Sequence, residues 1–231
     1  MIKTVLNWSS GKDAALACHL LRQDKQYEVS CLLTSVNKEQ DRVVMHGVRE
    51  EMLDAQAQRI NLPLKKVYLP AAPDDALYKA AMSSVLNELK EEGITTSAFG
   101  DIHLADLKKY REEQLALAGF KGLFPLWEID TKEIVRMIEQ AGIEAVIVCV
   151  NEKFLGKEFL GRKINTALLD NLPPGVDPCG EYGEFHTFVY NTPWFSSPIP
   201  IIHGELVHKV YTDENIGTAW DKGFWFMDVH I

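Results

Sequence analysis

The sequence has little cysteine and no long apolar run, and both absences restrict what the protein can be. It contains four cysteines among 231 residues, and no two form a Cys-X-X-Cys pair, so a structural zinc site is disfavoured. No stretch of about 18 apolar residues occurs, so no transmembrane helix is expected. The N-terminus also lacks the charged and apolar regions of a secretory signal peptide. We therefore expect a cytoplasmic protein with reduced thiols and no membrane partner.

The chain also has fewer positively charged than negatively charged residues. The chain has 24 Lys and Arg residues against 33 Asp and Glu residues, which gives a formal net charge of −9. A field of this sign disfavours non-specific binding to DNA, RNA or anionic membranes, because all three are negatively charged. A local basic pocket for a small anion remains compatible with it. With 46% hydrophobic residues, the chain can still bury a full core.

Apolar patterning predicts an α/β fold built on a doubly wound parallel sheet. Strand patterns at 4–6, 28–33, 64–69, 95–99 and 145–150 alternate with helical patterns at 13–22, 46–60, 74–92, 104–118 and 132–141. This alternation is typical of parallel sheets with helices on both faces. The run at 145–150 is unbroken and β-branched, which is typical of a strand buried on both faces. Residues 1–150 are therefore predicted to form one domain.

The pattern changes after residue 151. A rigid, turn-rich segment spans 171–178. Short strand patterns follow it, at 187–190, 199–202, 205–211 and 223–229. We interpret 151–231 as a smaller C-terminal α+β part that covers the carboxyl edge of the parallel sheet and helps to bind substrate.

A phosphate cradle is the most informative local motif. The small residues Ser9, Ser10 and Gly11, followed by Lys12 and Asp13, lie between the first strand and the first helix. Loop N–H groups and a helix N-terminus both attract an anion, small side chains let the backbone approach it, and a lysine adds positive charge. The spacing is not that of a Walker A loop. The alternative interpretation is that Ser9 or Ser10 only caps the helix and nothing binds.

Three further residues are expected to face the same crevice. Ligands of doubly wound sheets bind at the carboxyl ends of the strands. Thr34 lies at the end of the second predicted strand, and Gly100 and Asp101 follow the fourth. The sequence therefore predicts that these residues line a nucleotide site together with the loop at 9–13.

A second polar loop, at 177–187, contains two carboxylates, a thiol and an imidazole. One glycine precedes Glu181, and a second lies between Glu181 and Glu184, shortly before His186. Glycine permits close approach of a ligand to the backbone. Such groups hold an amine, ammonia or a magnesium ion, or act as a general base. The alternative is a solvated hairpin loop. Cys179 is either a nucleophile or, like most lone cysteines without a resolving partner, a structural residue.

Both loops resemble family motifs. The first is similar to the PP-loop of the ATP pyrophosphatases, Ser-Gly-Gly-X-Asp-Ser/Thr, with Ser10 at a glycine position and Ala14 at the final hydroxyl position. The second resembles the Gly-Glu-Asn-Gly-Glu-Phe/Tyr-His-Thr signature of the diphthine–ammonia ligase family, with Tyr182 in place of asparagine. Further marks of that family follow in order along nearly the whole chain: Met45-His46-Gly47-Val48, Gly100-Asp101-Ile102, Asp106, Arg111, Pro125-Leu126-Trp127 and Phe159-Leu160-Gly161-Arg162.

The resemblance implies a fold of the adenine nucleotide α-hydrolase type and an ATP-dependent ligase that uses Mg²⁺. A substrate carboxylate or amide oxygen would attack the α-phosphate of ATP and release pyrophosphate. Ammonia would then displace AMP and leave a primary amide. Adenylation is needed because a carboxylate is inert toward ammonia.

The resemblance also implies residue roles. ATP would bind at Ser9, Ser10, Gly11, Lys12, Asp13, Thr34, Gly100 and Asp101. The catalytic residues would be Lys12, Asp13, Glu181, Glu184 and His186. Within this set, Lys12 would stabilise developing phosphate charge, Asp13 would bind the metal or organise the loop, and the other three would bind substrate or ammonia.

The acceptor is less certain than the chemistry. The family implies a modified protein, translation elongation factor two, and an unidentified small acid is the other option. A homo-oligomer is also compatible with the sequence. Two other functions stay open: a PP-loop enzyme that modifies tRNA, and an adenine-nucleotide sensor without turnover. Negative charge and the lack of an RNA-binding module weigh against the first, while Ser10 and Ala14 keep the second open.

Overall fold

The chain forms two sheets with helices packed around them. A computed structural model describes residues 1–39, 42–43, 47–70, 73–210 and 223–231. The elements of the first sheet and its helices are β1 (Ile2–Asn7), α1 (Lys12–Gln23), β2 (Tyr27–Asn37), β3 (Arg42–Val43), α2 (Glu50–Ile60), β4 (Leu64–Leu69), α3 (Asp75–Glu91), β5 (Thr96–Ala98), α4 (Ala105–Leu117) and β6 (Lys121–Leu123). The remaining elements are α5 (Thr131–Gln140), β7 (Glu144–Asn151), a 3₁₀ turn (Lys157–Phe159), α6 (Thr166–Leu169), β8 (Phe185–Asn191), β9 (Ile202–Val210) and β10 (Gly223–His230).

The first sheet is parallel and doubly wound, as predicted. Its parallel strands run in the order β4-β2-β1-β5-β6, and the short β3 pairs antiparallel with the end of β2. Successive side chains of β1 enter different cores, because a strand presents alternate residues to opposite faces. Leu6 packs in the core that includes buried residues of α1, α2 and α5, whereas Val5 packs in the core that includes those of α3 and α4.

Helix starts agree with the capping residues in the sequence. The Asp74 side chain accepts a hydrogen bond from the Leu77 amide and begins α3, and Asp130 accepts from the amides at the start of α5. Helix α2 begins at Glu50, later than the predicted start at residue 46. Its preceding residue, Arg49, has an extended backbone, with ψ 146°, which does not continue a helix. Met45 and His46 lie outside the described residues.

The strand predicted at 145–150 belongs to the second sheet and not to the parallel one. This strand, β7, pairs antiparallel with β8 and β10, and the second sheet runs β8-β7-β10-β9. The chain therefore passes from one sheet to the other between β6 and β7. Strand β7 is buried on both faces, as the unbroken apolar run predicted. Such a run does not show which strands lie beside it.

The later strands also differ slightly from prediction. In place of the strands expected at 199–202 and 205–211, the structure has one strand, β9, which starts at Ile202. Tyr211, the last residue of the second predicted strand, lies outside the described residues. No helix in the described part of the chain is long and apolar enough to cross a membrane.

Candidate functional site

The loop between β1 and α1 lies at the point where the strand order of the first sheet reverses. Strands β2 and β4 lie to one side of β1, and β5 and β6 lie to the other. Such a switch point is where doubly wound sheets bind ligands. Within the loop, Ser10 has a left-handed backbone with φ 71°, a conformation that explains why PP-loops usually have glycine there. Its carbonyl points inward and accepts a hydrogen bond from the Val189 amide at 2.9 Å.

Gln56 forms hydrogen bonds that fix the backbone of this loop. The sequence analysis did not identify this residue. Its side chain lies on α2 and is fully buried. The amide nitrogen donates to the Ser10 carbonyl at 3.1 Å and to the Val189 carbonyl at 2.6 Å, and the amide oxygen accepts from the Trp8 indole at 2.8 Å. The available signal was a glutamine among the apolar residues of a helix, because a buried amide there requires several partners.

The end of β5 approaches the start of α1 very closely. A Cβ atom on Gly100 would lie 2.8 Å from the Asp13 carbonyl carbon and 2.9 Å from the Ala14 nitrogen. Only glycine permits this approach. Thr34 lies on the other side, where it is 4% exposed and its hydroxyl donates to the Trp8 carbonyl. The structure therefore brings both predicted positions to the loop, with Thr34 holding the loop backbone.

Lys12 and Asp13 form a buried ion pair at the first turn of α1. The Lys12 ammonium lies 2.9 Å from Asp13 Oδ2 and also donates to the Cys179 carbonyl. Burial is the largest single influence and lowers the pKa of Lys12, but Asp13, Cys179 and Glu181 together outweigh it, and the pKa is raised. Lys12 is therefore positively charged at neutral pH.

Asp101 pairs with an arginine beside the same crevice. Arg111 Nε lies 2.7 Å from Asp101 Oδ2, and the Arg111 guanidinium stacks over the Phe99 ring at 4.4 Å. Burial raises the pKa of Asp101 in spite of this arginine, and the charge of Asp13 raises it further.

The loop at 177–187 covers the PP-loop. The Lys12 amide donates to Thr187 Oγ1 at 3.0 Å, and the Lys12 ammonium reaches the Cys179 carbonyl. Gly180, with φ 66°, turns the loop where a Cβ atom would lie 2.7 Å from the Phe185 carbonyl. Two motifs more than 160 residues apart in sequence therefore meet at one lysine.

The two predicted carboxylates of this loop have different positions. Glu181 reaches across to the end of β5, where its Oε1 accepts from the amides of Ile102 and His103 at 3.1 and 3.0 Å. Burial raises the pKa of Glu181, although these two hydrogen bonds lower it. Glu184 is 2% exposed, and its oxygens accept from the amides of Asp177 and Tyr182 in its own loop. Glu184 therefore shapes the loop, whereas Glu181 lies at the crevice.

His186 and Cys179 are not placed like reacting groups. Phe185 lies 5.3 Å from the Lys12 ammonium and Thr187 binds the Lys12 amide, so strand alternation places His186 on the opposite face of β8. The Cys179 thiol is buried against the Thr131 carbonyl, and burial raises its pKa far above neutral. A thiol that stays protonated is a poor nucleophile, which favours the structural interpretation of Cys179.

A magnesium ion fits this site only together with a ligand. In the described residues no three His, Cys, Asp or Glu side chains converge closely enough to hold a metal. Asp13 Oδ1, however, is buried and makes no hydrogen bond to the described part of the protein. Because Mg²⁺ is usually held by one or two carboxylates plus substrate phosphates, one such oxygen beside a phosphate cradle is sufficient.

Two family models match the chain. Residues 2–121 match the diphthamide synthase N-terminal domain, and residues 130–224 match the diphthamide synthase C-terminal domain. The division between the two matches precedes α5 and β7, which is also where the chain passes from the first sheet to the second.

Curated relatives with the name diphthine–ammonia ligase are also similar. The Rattus norvegicus protein is 26% identical over 189 residues, a match that covers 73% of this chain and 69% of the relative. The Homo sapiens protein is 25% identical over 198 residues, with the same two coverages. The Schizosaccharomyces pombe protein is 26% identical over 155 residues, which are 65% of this chain and only 25% of that relative.

Among solved structures, the U34-tRNA thiolase NcsA from Methanococcus maripaludis shares 20% identity. The match covers 60% of this chain and 55% of that chain, with a TM-score of 0.38. At that score the likeness supports no conclusion about fold or function.

Proposed function

The chain belongs to the diphthamide synthase family, and from that premise we propose that it is an ATP-dependent ligase that joins ammonia to an activated acyl group. The observation that supports this most strongly is the junction at Lys12. There the phosphate cradle of the first sheet meets the signature loop of the second. An activation site and an acceptor site must adjoin if an adenylated intermediate is to react before it hydrolyses.

ATP would lie with its phosphates over the loop at 9–11 and the N-terminus of α1. The Ser10 carbonyl is turned inward, where it accepts hydrogen bonds from Val189 and Gln56, and the helix end adds partial positive charge for the phosphates. Lys12 would neutralise charge that develops as pyrophosphate leaves. Mg²⁺, bound to Asp13 and the phosphates, would polarise the α-phosphate when present.

The second half-reaction would occur beside Glu181. The acyl carbon bonds to the ammonia nitrogen, the carbon–oxygen bond to AMP breaks so that AMP leaves, and the nitrogen loses one proton to a base. Glu181 has a raised pKa and reaches the end of β5, which makes it the best-placed carboxylate for holding ammonia and accepting a proton. Glu184 and His186 would support this step through the shape of the loop.

The acceptor is proposed on the basis of the family, and the location on the basis of the sequence. We propose diphthine on elongation factor two, in the cytoplasm, as the acceptor, with a small carboxylic acid as the other option. The matching part of the chain is shorter than the relatives, so this assignment extends beyond the aligned region.

The proposal is tested with α-labelled ATP, magnesium, ammonium and a cell extract as the source of acceptor. We expect extract-dependent AMP from the wild type and a loss of roughly 100-fold or more in Lys12→Ala, because one charge-stabilising group is removed from the transition state. Lys25→Ala, which removes an exposed lysine from the turn after α1, is the matched control and should retain full activity.

Other products would contradict the proposal. ADP would indicate a phosphoryl-transfer enzyme, and AMP formation that depends on RNA in the extract would indicate tRNA modification. ATP binding without any turnover would indicate a sensor, and full activity in Lys12→Ala would remove the assigned role of that lysine.

A further inference from the structure

The loop at 177–187 begins with a carboxylate that binds the backbone of its own loop. Asp177 Oδ1 accepts hydrogen bonds from the amides of Cys179 and Glu181, at 2.8 and 3.2 Å. The Asp177 carbonyl accepts another from the Gly180 amide at 3.0 Å. Aspartate side chains commonly fold a turn in this way, by accepting from amides a few residues later in the chain. Asp177 therefore sets the path of the backbone up to Glu181.

We propose that Asp177 is a positioning residue for Glu181, an inference that rests on the proposed function, in which Glu181 holds ammonia. The Glu181 amide binds Asp177, and the Glu181 carboxylate binds the amides of Ile102 and His103 beyond β5. Glu181 is thus fixed both at its backbone and at its carboxylate. A base that must lie within hydrogen-bond reach of a bound reactant tolerates little displacement. Asp177 would act on the reaction through Glu181.

Lys12 depends on Asp177 much less than Glu181 does. The Cys179 carbonyl, which accepts a hydrogen bond from the Lys12 ammonium, lies in the turn that Asp177 folds. The same ammonium, however, lies 2.9 Å from Asp13, and Lys12 is the first residue of α1. This ion pair remains when the turn is disturbed. Loss of Asp177 should therefore affect the handling of ammonia more than the binding of ATP.

Asp177 also carries a charge that reaches the site, so its two effects must be separated. Burial raises the pKa of Asp13, and the negative charge of Asp177 adds to this rise. Asp177→Asn removes the charge but keeps an oxygen that can accept both amide hydrogen bonds, whereas Asp177→Ala removes both. A positioning role predicts that Asp177→Asn behaves as wild type at Glu181 and that Asp177→Ala does not.

Hydrogen exchange measured by NMR tests the positioning without any turnover. In Asp177→Ala, the amides of Ile102 and His103 should exchange about tenfold faster or more, because a displaced Glu181 no longer binds them. Asp177→Asn should keep the wild-type rates. Asp170→Ala, which changes an exposed aspartate after α6, is the matched control and should also keep them. Unchanged exchange at these two amides in Asp177→Ala overturns the proposal, as does an equal rise throughout β2, which would show only a loss of global stability.

Kinetics then separate ammonia from ATP. Asp177→Ala should lower kcat/KM for ammonium about tenfold or more, because a small misplacement of a catalytic group is costly. The dissociation constant for ATP, measured by calorimetry, should change much less, since Lys12 keeps its pair with Asp13. In a Glu181→Ala background, Asp177→Ala should have little further effect, because it acts through the missing side chain.

The outcomes that contradict the proposal differ from those that contradict the ligase function. An equal loss of kcat/KM in Asp177→Ala and Asp177→Asn would assign the effect to charge and overturn the positioning role. Full additivity with Glu181→Ala would overturn it as well. Faster exchange at Ile102 and His103 in Asp177→Ala, in a protein that forms no AMP even as wild type, would reject the ligase function and leave the positioning of Glu181 supported.

Discussion

Gln56 shows how one buried side chain sets the shape of a ligand loop. Its amide nitrogen donates to two carbonyls, Ser10 on the PP-loop and Val189 on β8. Ser10 is held in a left-handed conformation that costs a non-glycine residue on the order of 1 kcal/mol. These hydrogen bonds help to stabilise that conformation, which turns the loop carbonyl away from the ligand. In the proposed site, Gln56 would act on ATP only through the loop, as a positioning residue.

Gln56→Glu should weaken ATP binding in a pH-dependent way. The new carboxylate oxygen would face two carbonyl oxygens, which we expect to raise the dissociation constant for ATP about tenfold or more at neutral and alkaline pH. A buried glutamate in this position would have a raised pKa, so the carboxyl group becomes protonated and donates again as the pH falls. Calorimetric titration with ATP across the pH range measures the effect. Gln58→Glu, an exposed change two residues along α2, should behave as wild type, and a pH-independent loss in Gln56→Glu would mean that only packing was disturbed.

At the scale of elements, the contact between β5 and α1 defines the crevice. Helix α1 starts where the backbone after β5 reaches it, and Gly100 has no side chain to keep them apart. The Glu181 carboxylate binds the amides just beyond this point, so three segments converge within a few residues. A change in this contact should perturb the candidate site more than the remainder of the fold.

Gly100→Ala should therefore lower both stability and ATP use. A Cβ atom 2.8 Å from the Asp13 backbone must displace the first turn of α1 or the end of β5. Overpacking of this kind costs about 1–3 kcal/mol, and displacement of Asp13 should lower kcat/KM for ATP more than tenfold. Thermal unfolding and the labelled-ATP assay measure the two effects. Gly93→Ala, in the turn after α3, is the control: its Cβ atom would meet nothing within 4 Å and its φ of 79° strains the backbone, so it should lower stability but leave kcat/KM unchanged. Unchanged kcat/KM in Gly100→Ala would show that the close approach is not required.

The sequence predicted the helices and strands better than it predicted which distant segments they contact. Helices α3 and α5 start where Asp74 and Asp130 cap them, because capping depends on a few adjacent residues. Strand β7 was recognised as buried on both faces but assigned to the wrong sheet, because the number of buried faces does not identify a neighbouring strand. Gln56 was missed for a similar reason, since its three partners lie far from it in sequence.

For the site, motif spacing predicted the meeting place of the segments. The PP-loop, Gly100 and Glu181 do come together at the carboxyl edge, as the topology rule requires. Single-residue roles were less predictable. Glu184 binds its own loop and His186 points to the other face of β8, because loop geometry and strand phase decide where a side chain points. The catalytic assignments of these residues stay predictions.

At the scale of the whole molecule, the contacts between the two sheets include two separate ones that contain charged groups. One is the junction at Lys12 in the candidate site. The other lies at Asp228 on β10, whose carboxylate binds the guanidinium groups of Arg42 on β3 and Arg49 before α2. Asp228 is largely buried, and the two arginines are 29% and 42% exposed. The first contact contains predicted catalytic residues and the second contains none, so a change at Asp228 should affect stability alone.

Asp228→Asn should destabilise the protein by about 2 kcal/mol, which corresponds to a fall in Tm of about 6 °C for a chain of this length. The two arginines hold the pKa of Asp228 below its ordinary value, chiefly through the hydrogen bonds from Arg49. A lowered pKa means that this stabilisation is complete above about pH 4, where the unfolded carboxyl group is ionised, and is lost as the pH falls through the folded-state pKa. The difference between wild type and Asp228→Asn should therefore be constant from neutral pH to about pH 5 and shrink in acid. Urea unfolding at several pH values measures it, with Asp75→Asn, an exposed partner of Lys79, as the control that should change little. A difference that stays constant into acid would mean that the carboxylate charge of Asp228 does not hold the two sheets together.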